Sequence, residues 1–230
     1  MVKLGVVIPA AGQGKRMGAN INKQFIALSG QPILAHTLSL FEASEHVAEI
    51  VIVGSQEDLE MIGQLVQEQG FRKISSITRG GKERQESVFA GVKALSPAIQ
   101  RVAVHDGARP LLTLKELNRF FTESEEFSAA IMAIPVKDTI KKVNAQGQVI
   151  ETPARETLRA IQTPQIFERS LLEEAHQKAA EADLLFTDDA GLIEWLGYPV
   201  QTLDGSPENI KITTPEDLDF AESILAKRKR

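Results

Sequence analysis

The chain of 230 residues contains no cysteine, which excludes a disulfide framework, a thiol nucleophile, an iron–sulfur cluster and any thiolate metal site. It also lacks an apolar run close to the roughly 20 residues of a membrane helix. The first apolar stretch, Leu4–Ile8, ends at Pro9 and is too short for the hydrophobic region of a signal peptide. We therefore predict a cytoplasmic protein with no membrane partner.

Acidic residues outnumber basic ones, but they are unevenly distributed along the chain. The net charge is −5, so the sequence does not favour a nucleic-acid partner. Asp and Glu are absent from residues 1–41, although this segment holds Lys3, Lys15, Arg16 and Lys23. Two interpretations stay open at this point: the basic segment serves an anion, or a buried segment lacks acids by chance.

Short apolar runs alternate with amphipathic stretches through the first half of the chain. This alternation predicts an α/β domain with a mostly parallel sheet and helices on both faces. The predicted strands are Leu4–Pro9, Ala48–Val53, Lys73–Ile77, Arg101–His105 and Ser128–Val136. The predicted helices are Pro32–Ala43, Gln56–Gln69 with Ser55 as N-cap, Glu83–Leu95, and Leu114–Glu123 with a Thr113/Glu116 capping box. Helices at 168–182, 187–196 and 215–226 and a strand at Val200–Leu203 complete the pattern.

The alternation breaks at residues 137–160. Thr139–Val143 and Val149–Thr152 are short β-like runs, and residues 144–147 between them form a turn signal. Such a hairpin is too small to be stable alone, so we expect another surface to cover it. The sequence therefore predicts one domain spanning residues 1–230, with an inserted β-arm at 137–160.

The strongest local motif is a glycine-rich loop, PAAGQGKRMG at residues 9–18, directly after the first strand. Small residues let backbone N–H groups approach a phosphate closely, and ligands of such sheets sit at the carboxyl ends of strands. The loop lacks a Walker A pattern, and Met17 stands where a dinucleotide-binding fingerprint needs its third glycine. Phosphate binding is favoured, and hydride chemistry is not.

Three further segments carry polar groups, and each has a plain structural interpretation beside the functional one. GGKERQESV (80–88) either presents backbone and Ser87 to a ligand or simply connects a strand to a helix. Asp106 and Arg109 form either a polar site or an internal ion pair, while His105 is expected to be structural. Lys211, between two apolar residues, reaches either water or an anion. The four histidines show no metal-ligand spacing.

Six segments taken together, in order, resemble the methylerythritol phosphate cytidylyltransferases of the non-mevalonate isoprenoid pathway. They are PAAGQGKRMG with a following KQ (9–24), GGKERQESV (80–88), VHDGARP (104–110), PVKDTIK (135–141), QTPQIF (162–167) and NIKITTPEDL (209–218). The resemblance covers essentially the whole chain. It implies a Rossmann-like nucleotidyltransferase domain with a protruding β-hairpin arm. It also implies a reaction in which CTP and 2-C-methyl-D-erythritol 4-phosphate give the diphosphocytidyl product and pyrophosphate.

The resemblance also implies residue roles. Arg16 and Lys23 would be catalytic, stabilising the α-phosphate during the transfer. The nucleotide site would comprise Ala10, Ala11, Gly12, Gly14, Gly81, Ser87 and Gly107. The phosphorylated polyol would be held by Asp106, Arg109, Thr139, Arg155 and Lys211. Mg²⁺ is implied as cofactor, bound mainly through the CTP phosphates with no named protein ligand, and a homodimer is implied through the arm.

Two other functions remain open. One is a cytidylyltransferase of the same fold acting on ribitol 5-phosphate or another sugar phosphate. Those relatives usually carry Gly where this chain has Ala11 and Val where it has Ala108, so both positions favour the isoprenoid enzyme. The other is a catalytically silent nucleotide-binding protein, which the presence of Arg16, Lys23, Asp106 and Lys211 argues against.

Overall fold

A seven-stranded sheet forms from the apolar runs and carries helices on both faces. The computed structural model describes residues 4–12 and 22–228. In chain order the strands are β1 (Leu4–Pro9), β2 (Ala27–Leu28), β3 (Gln31–Pro32), β4 (Val47–Gly54), β5 (Ile74–Arg79), β6 (Arg101–Val104), β7 (Ala129–Pro135), β8 (Lys142–Val143), β9 (Val149–Glu151), β10 (Arg159–Glu168) and β11 (Gln201–Asp204). The helices are α1 (Ile33–Ala43), α2 (Leu59–Gln69), α3 (Arg84–Ala94), α4 (Leu114–Glu123), α5 (Arg169–Glu181), α6 (Asp189–Trp195) and α7 (Pro215–Arg228).

The strand order of the main sheet is β11-β7-β10-β6-β1-β4-β5. Six strands run in one direction, and β10 runs antiparallel to both of its neighbours, β6 and β7. The predicted mostly parallel sheet is confirmed, but the sequence analysis missed β10. Its pairing with β7 is irregular between Ile161 and Gln165, around Pro164, and a proline inside an apolar run argues against a central strand.

Alternating side chains of the central strands feed two separate cores. Val6 and Ile8 of β1 pack in the core that includes α1, α2 and α4, whereas Val7 packs in the core that includes α3, α5 and α6. This two-sided burial explains why the strands read as continuous apolar runs. A third cluster joins α7 to the β2–β3 hairpin through Leu28, Ile33 and Ile224. Among the described residues, no helix is long and apolar enough to cross a bilayer.

Local capping signals set several helix ends. The Thr113/Glu116 capping box is present at the start of α4, as predicted. The start of α2 differs from the prediction, because the helix begins at Leu59 and Asp58, not Ser55, is its N-cap. The Ser55 hydroxyl instead donates to the Asp58 carboxylate at 2.6 Å. The Asp58 side chain is thus bonded to Ser55 and makes no capping hydrogen bond to α2, which begins at Leu59.

The predicted hairpin is present as β8 and β9, although both strands are shorter than predicted. The Asn144 N–H donates to the Gln148 carbonyl at 2.9 Å and closes the turn. Three of its apolar side chains are more than half exposed: Val143 by 51%, Val149 by 58% and Ile150 by 57%. Residues 159 and 160, the end of the predicted arm, already pair with β7 in the main sheet. The hairpin thus has apolar surface that this single chain leaves uncovered.

Candidate active site

Three loops meet at the edge of the sheet formed by the carboxyl ends of its parallel strands. The loop after β1 is joined to β4 where the Ala10 N–H donates to the Val53 carbonyl at 2.7 Å. The loop after β5 is joined to β4 where the Gly80 N–H donates to the Gly54 carbonyl at 2.9 Å. The loop after β6 returns to β1, because the Gly107 N–H donates to the Pro9 carbonyl at 3.3 Å. Parallel pairing therefore places the three polar motifs side by side.

A cleft of about 200 Å³ lies between these loops. Most of the residues predicted from the sequence line it: Ala10, Ala11, Gly12, Lys23, Gly81, Ser87, Asp106, Gly107 and Lys211. The structure also adds Gln24, Lys82, Glu83 and Arg84 to its wall. Gly14 and Arg16 lie outside the described residues. Motifs that are distant in the sequence thus share one concave surface.

The loop that precedes α3 is shaped by side chains of that helix. The Gly81 N–H donates to the Ser87 hydroxyl at 3.2 Å, and this hydroxyl donates to the Glu83 carbonyl at 3.1 Å. The Glu86 carboxylate accepts from the Lys82 N–H at 2.7 Å. A Cβ on Gly80 would lie 2.6 Å from the Ser87 hydroxyl, so only glycine leaves room for this packing. Ser87 therefore supports the loop as well as lining the cleft.

Lys23 reaches the cleft from the opposite wall. Its ammonium donates to the Ile212 carbonyl at 3.3 Å, which ties it to the segment that carries Lys211. The neighbouring Gln24 is buried, and its amide donates to the Ala10 carbonyl in the loop after β1. The two residues thus join the predicted phosphate loop to the far end of the chain.

Asp106 is the centre of a charged cluster, which comprises Asp106, Arg84, Arg109, Lys211 and Asp189. The Lys211 ammonium lies 2.7 Å from Asp106 Oδ2, and Arg84 Nε lies 3.3 Å from Oδ1. Arg109 Nε lies farther away, 3.9 Å from Oδ2. The ion pair between Asp106 and Arg109 that the sequence left open is therefore present, but it is the longest of the three that Asp106 makes with described residues.

Burial and charge act in opposite directions within this cluster. Burial alone would raise the pKa of Asp106, but Arg84 and Lys211 outweigh it and hold this pKa well below 3.8. Burial likewise acts to lower the pKa of Arg84, yet Asp189 and Asp106 outweigh it and raise this pKa above its ordinary value. Both groups are thus ionised at neutral pH, as a site for anionic and hydroxylated ligands requires.

A second cleft, of about 400 Å³, lies on the other side of Asp106. It shares Asp106, Arg84 and Lys211 with the first cleft. Arg109, Gln162, Thr163 and Gln165 line only the second cleft. The Asp106 cluster thus separates two neighbouring spaces, one bordered by the glycine-rich loop and one bordered by β10.

Comparison with known proteins identifies this arrangement. The model of the family described as 2-C-methyl-D-erythritol 4-phosphate cytidylyltransferase matches residues 4–227. The chain belongs to this family. Relatives with the same description include a protein of Halalkalibacterium halodurans, 52% identical with both chains fully covered, and one of Alkaliphilus metalliredigens, 45% identical over 99% of this chain and 95% of its own.

Solved structures agree with the family assignment. A crystal structure of 4-diphosphocytidyl-2C-methyl-D-erythritol synthase from Anaerococcus prevotii superposes with a TM-score of 0.88 at 31% identity, covering 98% of this chain and 96% of that one. A crystal structure of 2-C-methyl-D-erythritol 4-phosphate cytidylyltransferase from Thermus thermophilus superposes with a TM-score of 0.77 at 32% identity, covering 98% of this chain and 100% of that one. As a member of the cytidylyltransferase family, the chain is a nucleotidyltransferase.

Two of the expected cytidylyltransferase residues are not brought to either cleft by this chain. Thr139 and Arg155 lie at the base of the arm and are exposed, and they line neither cavity. The Arg155 guanidinium donates to the Lys137 carbonyl at 2.9 Å. Within one chain, the second cleft is thus formed by Arg109 and Lys211 without the arm.

His105 is part of the frame of this site. Its Nε2 lies 3.1 Å from the Arg109 carbonyl, which only accepts, so Nε2 carries the proton. Its Nδ1 accepts from the Thr163 hydroxyl at 3.2 Å, and that oxygen accepts from the Asp106 N–H at 3.1 Å. Burial lowers the pKa of His105 to about 4, so the ring is neutral at pH 7. The expected structural role agrees with this geometry.

Sequence reasoning missed Arg84, Thr163 and Asp189 as members of the site. Arg84 and Thr163 stand inside motifs that were recognised, but their partners lie on other elements. Asp189 begins α6, a helix whose link to the glycine-rich loops is not encoded by any local pattern. Only the side-chain distances of the folded chain reveal these contacts.

Proposed function

We propose that this enzyme transfers the cytidylyl group of CTP to the 4-phosphate of 2-C-methyl-D-erythritol. A phosphate oxygen of the polyol forms a bond to the α-phosphorus of CTP, and the bond from that phosphorus to the β-bridging oxygen breaks. Pyrophosphate leaves with the electron pair, and no covalent enzyme intermediate is needed. The observation that carries this proposal is the Asp106 cluster between two clefts, since two anionic substrates would meet there.

The first cleft is the proposed nucleotide site. Ala10, Ala11, Gly12 and Gly14 would supply backbone N–H groups to the phosphates. Gly81 and Ser87 would contact the cytosine, and Gly107 would lie near the ribose. Lys23, in the cleft wall, and Arg16 would stabilise the negative charge that builds up on the α-phosphate. Cations placed before the reaction begins are effective because they need no reorganisation.

The second cleft is the proposed site of the phosphorylated polyol. The Asp106 carboxylate is an acceptor for hydroxyl groups, and Arg109 is a donor that lines this cleft only. Lys211 lines both clefts, so its ammonium is placed to contact the phosphate that attacks. Its 2.7 Å ion pair with Asp106 fixes it between the two substrates until the phosphate arrives.

Mg²⁺ is the proposed cofactor, and we propose that the CTP phosphates bind it rather than a set of protein side chains. Among residues 4–12 and 22–228, no group of three or more His, Asp or Glu side chains is arranged to hold a metal ion. Of the two carboxylates in the first cleft, Asp106 is paired with cations and Glu83 caps α3. Mg²⁺ often keeps its waters and uses substrate phosphates, where it neutralises charge. The cleft fits that mode of binding.

We further propose a homodimer formed through the arm. Exposed apolar side chains on the hairpin, Val143, Val149 and Ile150 among them, would be covered by the same hairpin of a second copy. Burying each of them would contribute roughly 1–2 kcal/mol. Thr139 and Arg155, which line neither cleft of their own chain, would then complete the polyol site of the partner. We also propose a cytoplasmic location, where CTP is available.

The direct test measures pyrophosphate release from CTP, UTP, ATP and GTP, each with 2-C-methyl-D-erythritol 4-phosphate or ribitol 5-phosphate. We expect turnover with CTP and the methylerythritol substrate, at a kcat/KM well above every other pair. Equal or better kcat/KM with ribitol 5-phosphate would assign the chain to the alternative cytidylyltransferase. A preference for UTP would refute the assignment of Gly81 and Ser87 to cytosine.

A further inference from the structure

One buried carboxylate beside the site has no role in the reaction proposed above. The Asp189 side chain is only 1% exposed, and its Oδ2 lies 2.8 Å from Nη2 of Arg84. No second ion pair of Asp189 is found among the described residues. Burial raises the pKa of Asp189, and Arg84 opposes this shift. Desolvating two charges in a buried ion pair costs free energy, so stability alone does not account for the pair between Asp189 and Arg84.

The position of Asp189 is set by β10 rather than by Arg84. Asp188 caps α6, because its Oδ1 accepts from the Gly191 N–H at 3.1 Å. Gln165 of β10 holds this helix start from both sides: its amide donates to Asp188 Oδ2 at 2.8 Å, and its Oε1 accepts from the Ala190 N–H at 3.1 Å. The Asp189 carboxylate is therefore a fixed point to which Arg84 is attached.

Arg84 divides the two donors on one edge of its guanidinium between two different carboxylates. Nη2 is held by Asp189, and Nε contacts Oδ1 of Asp106 at 3.3 Å. A guanidinium is rigid and planar, so fixing the Nη2 donor fixes the direction of the Nε donor beside it. Without Asp189, the same group could turn and bind Asp106 through two parallel hydrogen bonds. That arrangement would occupy Oδ2, which now pairs with Lys211 at 2.7 Å.

We infer that Asp189 is a positioning residue for the polyol phosphate: it restrains Arg84 to one oxygen of Asp106 and leaves the other to Lys211 and the substrate. This inference rests on the proposed function of the second cleft. Asp189 lines neither cleft, so its effect passes through Arg84. A general structural role of Asp189 would affect the binding of both substrates, whereas this positioning role affects the polyol phosphate and not CTP.

The net charge of the Asp106 cluster determines which substrate loses affinity when Asp189 is neutralised. The Asp106 cluster contains three cations and two carboxylates, so neutralising Asp189 makes the site more positive. Binding of the CTP phosphates should therefore not weaken. The misdirected Asp106 carboxylate should instead weaken contacts to the polyol hydroxyls. We expect Asp189→Asn to raise the KM for the polyol phosphate and lower kcat, with the KM for CTP changed less than about twofold.

The experiment is a double-mutant cycle on the full-length enzyme, with CTP and 2-C-methyl-D-erythritol 4-phosphate varied separately. Asp189→Asn alone should lower kcat/KM for the polyol phosphate by about tenfold, as expected for a small misplacement. In an Arg84→Gln background the same substitution should lower it no further. Asp219→Asn, at an exposed position on α7 far along the chain, is the control and should leave kcat/KM for the polyol phosphate unchanged in both backgrounds.

The outcomes are separable. Equal increases in both KM values, or an Asp189→Asn effect that adds fully to Arg84→Gln, would overturn the inference. If Asp189→Asn does not fold, as judged by circular dichroism and thermal unfolding, Arg84→Lys serves instead. It keeps the charge but lacks the rigid planar fork that holds both carboxylates in fixed directions, so it should raise the KM for the polyol phosphate more than that for CTP. A wild-type enzyme with no activity on these two substrates would contradict the proposed function itself, and with it the inference about Asp189.

Discussion

Lys211 and Asp106 form the closest ion pair among the described residues of the active site, with 2.7 Å between the ammonium and Oδ2. The two residues come from opposite halves of the sequence and from different loops. Their contact is stabilised by backbone pairing, because the Ile212 N–H donates to the Ala108 carbonyl at 2.9 Å. The pair joins the two clefts, so substitutions around it should affect nucleotide and polyol steps in distinguishable ways.

Removing the proposed phosphate-stabilising cations should slow catalysis more than binding. Lys23→Ala and Arg16→Ala should each lower kcat by about two orders of magnitude, as measured for the loss of one preorganised electrostatic stabiliser. Pyrophosphate release at saturating substrate is the measurement. Lys115→Ala, an exposed lysine on α4, is the control and should keep wild-type turnover. Near-normal kcat in both folded active-site variants would refute the assigned roles.

Gly80→Ala should damage the nucleotide site without unfolding the protein. The added Cβ would lie 2.6 Å from the Ser87 hydroxyl and 3.1 Å from the Ala11 side chain, so the loop must move. Overpacking costs about 1–3 kcal/mol, and strain of that size in the CTP-binding conformation of the loop corresponds to an increase in the KM for CTP of about 5- to 100-fold. Gly63→Ala, in α2, is the control: its Cβ would make an ordinary 3.9 Å contact with the Ile77 side chain. A KM for CTP that is equal in the two variants would argue against this role of the loop.

The arm-exchange proposal predicts complementation between two inactive enzymes. Arg155→Ala and Lys23→Ala dimers should each be nearly inactive. When they are unfolded and refolded together in equal amounts, statistical pairing gives mixed dimers in which one site carries both lesions and the other carries none. Recovery of roughly a quarter of wild-type activity is expected.

The control for this experiment uses Arg159→Ala in place of Arg155→Ala. Arg159 is an exposed arginine of the same segment, and dimers of Arg159→Ala alone should stay active. If Arg155 serves its own chain, every site keeps one lesion and no activity returns. A monomer in light scattering at micromolar concentration would also contradict the dimer.

The Asp106 carboxylate should stabilise the fold with a characteristic pH dependence. Asp106→Asn leaves three cations without their shared partner and should lower the free energy of unfolding by about 3 kcal/mol at pH 7. Because the folded pKa of Asp106 is depressed below 3.8, this stabilisation is fully present above about pH 5 and is lost as the pH falls through the folded pKa. Denaturant unfolding at several pH values measures the difference between the two proteins.

Asp219→Asn, at an exposed position on α7, is the control and should change stability little at any of these pH values. A stability difference for Asp106→Asn that grows on acidification would contradict the assigned direction of the pKa shift.

Interactions between residues close in sequence were predictable because they depend on a few neighbouring side chains. The Thr113/Glu116 capping box, the hairpin turn at Asn144 and the apolar run of β1 all follow from local spacing. The glycine-rich loop was assigned to phosphate binding for the same reason, since small residues and cations stand together in ten positions of sequence. Parallel strands then required the polar strand ends to share one edge.

The tertiary structure alone decided which side chains meet across elements. β10 enters the sheet antiparallel between β6 and β7 although Pro164 interrupts its pattern, because its neighbours supply the pairing that its own sequence does not signal. Arg84 faces both Asp106 and Asp189 because α3, β6 and α6 converge at one point. Long-range ion pairs of this kind depend on the relative placement of whole elements, and no local periodicity encodes that placement.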